Sequence, residues 1–223
     1  MKKVSITYCK PCGYERHATD AAAALQKELA LAATLVPGTG GIFEVRVGDD
    51  VVAKRAKSHF PDTAEIVAAV SAAVTKHLAS PDSHVLALLG SGVQAATHLA
   101  ALRHVRRFDD VRVWSRTQEH AQAFAASHGA TAMDAESAVR GADVIVTATP
   151  AREPILKGAW LKPGAHVNAV GAPMPTWREL DDDARGVQRS VGHDDPGHRR
   201  TRARGSRGVA CGRGRRTSGC VRR

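Results

Sequence analysis

Aromatic side chains are scarce in this sequence: three Trp, two Tyr and four Phe make up 4% of its 223 residues. Alanine is abundant instead, so any core is expected to be shallow. No stretch approaches the roughly 20 consecutive apolar residues that cross a bilayer, and the apolar run after Met1-Lys2-Lys3 is too short for a secretion signal. A cytoplasmic protein without a membrane partner is expected. Cysteine is also sparse, at four residues, which argues against a disulfide-knit secreted scaffold. In a reducing compartment a close cysteine pair is catalytic or redox-sensing rather than structural.

Lysine is missing where positive charge is densest. Residues 186–223 hold 11 Arg, 8 Gly and 2 acids but no Lys. Removing them from the chain's 32 basic and 22 acidic residues leaves 21 and 20, so 1–185 carries about +1 and the tail +9. The pI near 10.0 therefore describes the tail. With no helical or strand period, such a segment cannot bury enough apolar surface to order itself, and a disordered tail is expected. A polycation of this kind attracts nucleic acid nonspecifically by counterion release. Arg and Gly without Lys is also what GC-rich coding sequence yields when read out of frame.

What is present is a strand running into a glycine turn. Val85-Leu86-Ala87-Leu88-Leu89 leads to Gly90-Ser91-Gly92-Val93-Gln94-Ala95, where a helix to Val105 begins. A strand, a glycine turn and a helix start bring unpaired backbone N–H groups and the positive end of the helix dipole together, which suits a pyrophosphate. Gly90 permits the turn, Gly92 lets a phosphate approach, and Ala95 keeps helix and strand close. Next comes the strand Asp110 to Thr117, whose end lies where a dinucleotide fold reads the ribose. An Asp or Glu there selects NAD; Ser115, Arg116 and Thr117 favour a 2′-phosphate, hence NADP(H), with NAD(H) as the alternative.

Alternation continues, with Thr117 capping a helix to about His128, a strand at Ala130–Met133, a helix at Glu136–Arg140, and strands at Asp143–Thr149 and His166–Gly171. This order implies a parallel, doubly wound sheet, so the fold class is α/β. Ligands sit at the carboxyl ends of such strands. Thr147, Ala148 and Thr149 should line the cofactor cleft, and Asn168 and Gly171 should face the nicotinamide or its ribose.

These residues, together with Gly141-Ala142-Asp143, Trp160-Leu161-Lys162-Pro163-Gly164-Ala165-His166 and Trp177-Arg178-Glu179-Leu180-Asp181, resemble the ornithine cyclodeaminase and mu-crystallin family over about 70–184. The resemblance implies an NAD- or NADP-binding Rossmann domain in a group that includes cyclodeaminases, ketimine reductases and amino-acid dehydrogenases. Members hold that domain between pieces of a second α/β domain that dimerises and supplies basic residues for the substrate carboxylate, and their catalytic Asp lies further along. Neither piece is visible here. Asp181, Asp182 and Asp183 read as a solvated run. The basic tail begins where this resemblance ends, which favours a frameshift over an evolved nucleic-acid arm.

The N-terminal part has chemistry of its own. A strand from Lys3 to Tyr8 ends in Cys9-Lys10-Pro11-Cys12, followed by a helical stretch from about Glu15 to Ala33. A C-x-x-C between strand and helix puts the first sulfur near helix N–H groups, which lowers its pKa and makes Cys9 the nucleophile, with Cys12 resolving the mixed disulfide. Zinc and a buried structural thiol pair are the alternatives; zinc needs a second ligand pair, and Cys211 and Cys220 lie far away in the tail. Strands at Ala33–Pro37, Ile42–Val47 and Val51–Arg55 follow, the last two as a hairpin. Asp62-Thr63-Ala64-Glu65 then opens a helix with a capping box. Strand, C-x-x-C, helix, three strands and helix make a small thioredoxin-like module. Tyr8-Cys9-Lys10-Pro11-Cys12, Gly40-Gly41-Ile42-Phe43-Glu44-Val45 and Phe60-Pro61 resemble the Rdx family, related to selenoproteins W, T and H. That resemblance implies a thiol oxidoreductase acting on a thiol or disulfide protein or a small thiol.

The expected organisation is a thioredoxin-like domain at 1–74, a Rossmann domain at 75–185 and the tail at 186–223. The two resemblances meet within one alanine-rich helix around 70–79, with no linker before Ser80-Pro81-Asp82-Ser83. Three functions follow. The first is thiol–disulfide exchange beside a bound NADP(H). The second is a mu-crystallin-type reductase or cyclodeaminase that needs a partner domain. The third is a non-functional fusion with a nucleic-acid-binding tail. Direct coupling of the halves is disfavoured, because hydride transfer to a disulfide normally passes through a flavin.

Overall fold

The computed structural model describes residues 3–171 and 177–188. Strand β1 (Val4–Cys9) buries Val4, Ile6 and Tyr8, the alternation of a strand covered on one face. Helix α1 (Glu15–Leu29) stops short of the expected Ala33. Ala30 is left-handed at φ 53°, and its N–H bonds back to Leu25 O, which closes the helix. The residues freed by that stop form β2 (Ala33–Gly38), parallel to β1. As an edge strand β2 tolerates Pro37, which has no N–H to give to a ladder. Strands β3 (Phe43–Val47) and β4 (Asp50–Lys54) form the expected hairpin, with β3 antiparallel to β1, in the order β2-β1-β3-β4.

Helix α2 (Thr63–Leu78) begins with a reciprocal cap. The Asp62 carboxylate accepts from Glu65 N at 2.8 Å, and the Glu65 carboxylate accepts from Asp62 N at 2.9 Å. The helix runs unbroken through residues 70–78. Its buried residues, among them Ile66, Val67, Ala68, Val70 and Ala72, surround the axis, the pattern of a helix covered on all sides.

The second sheet explains that burial. Strands β5 (Val85–Leu89), β6 (Asp110–Trp114), β7 (Thr131–Ala132), β8 (Val144–Thr147) and β9 (His166–Ala169) are all parallel, in the order β7-β6-β5-β8-β9. Helices α3 (Val93–Val105), α4 (Gln118–His128), α5 (Ala135–Val139) and α6 (Asp182–Gln188) complete this α/β layer. Helix α2 packs against α1, β3 and β4 on one side and against α3 and β9 on the other. One apolar cluster accordingly runs from Ile6 and Phe43 through Val67 and Val70 to Leu86, Leu88 and Leu99. The opposite face of the parallel sheet buries Ala87, Leu89 and Ile145 with Leu156 and Leu180. Both sheets lie in one compact unit, Met1–Gly192.

Several parallel strands end sooner than the sequence pattern suggests. Ser115–Thr117, Ala148–Thr149 and Val170–Gly171 leave the ladder and become loops at the carboxyl edge. Thr117 occupies the N-cap position of α4, but its hydroxyl makes no capping bond. At the other edge the Asp143 carboxylate holds the sheet together, accepting from His84 N and Val85 N at 2.8 Å each and from Lys162 Nζ.

Composition places the start of the structureless tail at 186, yet Gly186–Gln188 complete α6. That helix is seated by Asp181, whose carboxylate accepts from Ala184 N and Gly158 N. Residues 189–223, with the expected disorder and nucleic-acid contacts, lie outside the described residues. Among the described residues no helix is long and apolar enough to cross a membrane.

Candidate functional site

The strand order reverses on either side of β5, and a cavity of about 710 Å³ opens there at the carboxyl ends of β5, β6 and β8. Gly90 turns the chain at φ +128°; a Cβ there would lie 2.5 Å from Ala148 O, so the loop is held tight against the end of β8. Gly92 differs: nothing lies within 4 Å of its would-be Cβ. It is the N-cap of α3 and offers no side-chain cap to the first amides of that helix. A tight turn, a bare glycine and an uncapped 13-residue helix at one cavity form a cradle for a phosphate group.

The cavity wall divides into two ends. Toward β6 lie Trp114, Ser115, Arg116 and Thr117, with one face of α4 formed by His120, Ala123, Phe124, Ser127 and His128. Toward β8 lie Ala148, Thr149, Pro150, Ala151 and Ile155. The Ser91 hydroxyl donates to the Ser115 hydroxyl at 3.0 Å and ties the glycine loop to the β6 end. Arg116 is the one Lys or Arg among the lining residues described. A guanidinium between two hydroxyls, at the β6 end, suits a phosphate ester on the adenosine side of a dinucleotide.

Of the residues singled out from the sequence, the structure gathers Gly90, Gly92, Ser115, Arg116, Thr117, Ala148 and Thr149 around this cavity. It places the others elsewhere. Val93 is 77% exposed outside the cavity lining. Gln94 lies in the first turn of α3, and its carbonyl O bonds to His98 Nδ1 at 2.8 Å. Asn168 does not face the cleft: its Nδ2 donates to Thr75 Oγ1 on α2 at 2.9 Å, and its Oδ1 meets His166 Nε2 at 3.1 Å. Since the Thr75 hydroxyl donates to Ser71 O, it must accept from Asn168, and His166 must carry its proton on Nε2.

Thr147 and Gly171 lie behind the wall, around a residue that sequence reasoning left as part of a Glu-Leu-Asp motif. Glu179 is 2% exposed. Its Oε1 accepts from Thr149 N at 2.6 Å and Thr149 Oγ1 at 2.7 Å, and its Oε2 accepts from Thr147 Oγ1 at 2.7 Å. The Gly171 N–H, packed beside this carboxylate, donates to Thr147 O at 3.0 Å. Burial pushes this carboxyl above its ordinary range, against the pull of those donors. Glu179 also ties down the segment beside the cavity, because its carbonyl accepts from Ile155 N and Leu156 N. Its position depends on contacts across more than 20 residues of sequence, for which no local pattern exists. The α4 wall was more accessible, since 120, 123, 124, 127 and 128 share one helical face.

The cysteine pair forms a second candidate site. Cys9 and Cys12 are joined by a disulfide, with Cα atoms 5.3 Å apart. Cys9 is fully buried at the end of β1 and Cys12 is exposed. Helix α1 starts only at Glu15, with Tyr14 as its N-cap, so the second cysteine is the nearer in sequence to the helix start. The turn is pinned by Cys9 N to Ile42 O at 2.7 Å and Lys10 N to Gly38 O at 3.1 Å. No residue of this turn lines the cavity.

Known proteins resemble the chain in two parts. The Rdx family profile matches residues 3–72, and that of the ornithine cyclodeaminase/mu-crystallin family matches 61–205, so both include the first part of α2. The second match reaches further at both ends than the motifs suggest. Ketimine reductase mu-crystallin of Rattus norvegicus is 44% identical over 173 residues, covering 76% of this chain and 51% of its own length. The chain thus spans about half the length of the curated relatives it matches. Among solved structures, Delta(1)-pyrroline-2-carboxylate reductase of Thermococcus litoralis, in complex with NADH and L-proline, superposes with a TM-score of 0.51 at 29% identity, over 64% of this chain and 46% of that one. The iminosuccinate reductase of Paracoccus denitrificans, in complex with NAD+, gives 0.50 at 26%, over 66% and 48%. With a parallel sheet, a glycine cradle and a profile match over more than half its length, the chain belongs to the ornithine cyclodeaminase/mu-crystallin family and carries an Rdx-type segment at its N-terminal side.

Proposed function

We propose that this chain is an oxidoreductase-type protein whose cleft binds NADP(H). The carrying observation is that the open approach at Gly92, the uncapped start of α3, and Arg116 with Ser115 and Thr117 all border one cavity. In this reading the pyrophosphate lies on the α3 amides, the 2′-phosphate on Arg116, and the nicotinamide toward Thr149 at the β8 end. When bound, the cofactor supplies or accepts a hydride; the protein's residues bind it, orient it and shield its reactive ring. Titration of the full chain with NADPH, followed by cofactor fluorescence, tests this. Losing one charge-assisted contact of about 1.5–3 kcal/mol predicts that Arg116→Ala weakens NADPH about 10- to 100-fold. NADH should be nearly unaffected. Equal affinity of the parent for NADPH and NADH would remove the role given to Arg116.

Reduction of a C=N bond, as in the relatives named for ketimine and pyrroline-carboxylate reduction, is the family chemistry this cofactor would serve. Among the described residues no Lys or Arg lines the β8 end of the cavity to hold a substrate carboxylate, so this activity requires a partner chain or further segment.

A second reading rests on the exposure of Cys12 beside a buried Cys9. In the reduced protein the Cys12 thiolate attacks a target disulfide and forms a mixed disulfide, releasing one target thiol. Cys9 then attacks Cys12 Sγ and releases the second, so two electrons pass to the target while the Cys9–Cys12 disulfide forms. Timed alkylation of the reduced chain should modify Cys12 at least about tenfold faster than Cys9. Faster labelling of Cys9 would return the attacking role to it.

A further inference from the structure

We propose that Glu179 is an electrostatic positioning residue that favours the oxidised, cationic nicotinamide over the reduced, neutral one. The inference rests on the reading of the cleft as an NADP(H) site. Four observations carry it.

First, the contacts of Glu179 suit an anion. The Thr149 backbone N–H can only donate, and the Thr147 and Thr149 hydroxyls complete the set. An ionised carboxylate accepts all three bonds, whereas a protonated one must turn one of the hydroxyls round to accept its own hydrogen. Second, the charge has no cationic partner among the described residues. The adjacent Arg178 bonds instead to Leu180 O and the Asp182 carboxylate. Third, the carboxylate lies one residue behind the cavity wall. Thr149, which donates to it through both N–H and hydroxyl, itself lines the β8 end of the cavity. In a doubly wound sheet that end receives the nicotinamide half, opposite Arg116.

Fourth, stability does not account for the charge. A buried, unpaired carboxylate is expensive to desolvate. Buried ionisable groups without a charged partner gather at functional sites. The oxidised nicotinamide ring carries one positive charge and the reduced ring none. A fixed negative charge behind Thr149 therefore acts on one redox form alone. At an effective dielectric of about 20, a unit charge about 10 Å away changes relative affinity by about tenfold.

The test is the ratio Kd(NADP+)/Kd(NADPH), measured on the full chain by calorimetry and cofactor fluorescence. Glu179→Gln keeps the shape and the polar atoms but removes the charge, and should raise the ratio about tenfold. Glu179→Asp, which keeps the charge, should leave it within about threefold of the parent. An unchanged ratio in Glu179→Gln, or equal weakening of both cofactors, would overturn the proposal, because a merely structural role moves both together. If the parent binds neither nucleotide, the cofactor reading itself fails, a result distinct from either of these.

Should Glu179→Gln not fold, the parent alone decides the matter. A carboxyl raised by burial takes up its proton sooner than an ordinary Glu as the pH falls, so the ratio should climb with falling pH; a ratio flat over the whole range in which the chain stays folded would overturn the proposal. The groups around Glu179 are the uncharged Thr147, Thr149 and Gly171. The 2′-phosphate and the wall residues His120 and His128, at the β6 end of the cavity, are common to both complexes.

Discussion

Gly90 and Gly92 stand two residues apart in the same loop, yet they should fail in different ways when replaced by alanine. At Gly90, φ is +128° and a Cβ would lie 2.5 Å from Ala148 O and 3.0 Å from its carbonyl carbon. Alanine in a backbone region essentially confined to glycine costs about 1–3 kcal/mol. Relieving the overlap by shifting backbone at the end of a buried strand adds about 1–3 kcal/mol. Gly90→Ala should therefore lose about 4 kcal/mol, which at a urea m-value of about 2 kcal/mol/M lowers the midpoint by about 2 M with m unchanged. At Gly92, φ is −87° and the space for a Cβ is empty. Gly92→Ala should keep stability within about 0.5 kcal/mol. Its methyl group would stand where the pyrophosphate approaches, and loss of charge-assisted amide contacts should weaken NADPH about 10- to 100-fold. The assays are urea unfolding followed by circular dichroism, and NADPH fluorescence titration. A Gly92→Ala variant that binds NADPH like the parent would refute the placement of the phosphate, however the Gly90 variant behaves.

The local rules of the chain were legible where one element answers to one stretch of sequence. The Asp62–Glu65 cap, the glycine turn after β5 and the alternation of strands and helices follow from capping, turn chemistry and periodicity acting over a few residues. Periodicity alone carries α1 on to Ala33, because alanine is a strong helix former. What stops the helix is Ala30 in a left-handed conformation, set by the need to bring β2 beside β1.

The cleft divides along the same line. Residues on the glycine loop and just past β6 could be found because their distance along the chain fixes their place in the fold. Beyond β8 and β9, a period of two decides which side of the sheet a residue faces, and the strand's point of exit decides the period. Thr147 therefore points back to Glu179 while Ala148 and Thr149 reach the cavity, and Asn168 turns to Thr75 on α2. For the cysteines, spacing identifies the pair, but only the position of Tyr14 at the helix start shows which sulfur is outside.

Two further outcomes follow from the networks beside the cleft. Asn168→Ala should cost about 1–3 kcal/mol in urea unfolding, through its bonds to Thr75 and His166, while leaving NADPH affinity unchanged; a fall in affinity would return Asn168 to the cofactor site. Asp143 links acid stability to the foot of the parallel sheet. Burial by itself raises its pKa, but the hydrogen bond and charge of Lys162 and the N–H groups of Val85 and His84 outweigh it and hold the carboxyl below the ordinary Asp value. A depressed pKa in the folded state means stability that is fully present above the unfolded value, about 3.9, and lost as pH falls through the folded one. Asp143→Asn keeps an acceptor for the backbone but loses the charge facing Lys162. It should cost about 1–2 kcal/mol at pH 7, and its stability should fall less steeply than the parent's below about pH 4. Urea midpoints taken between about pH 3 and pH 7 measure both, and parallel curves for parent and variant would show that the lowered pKa of Asp143 contributes nothing to folding.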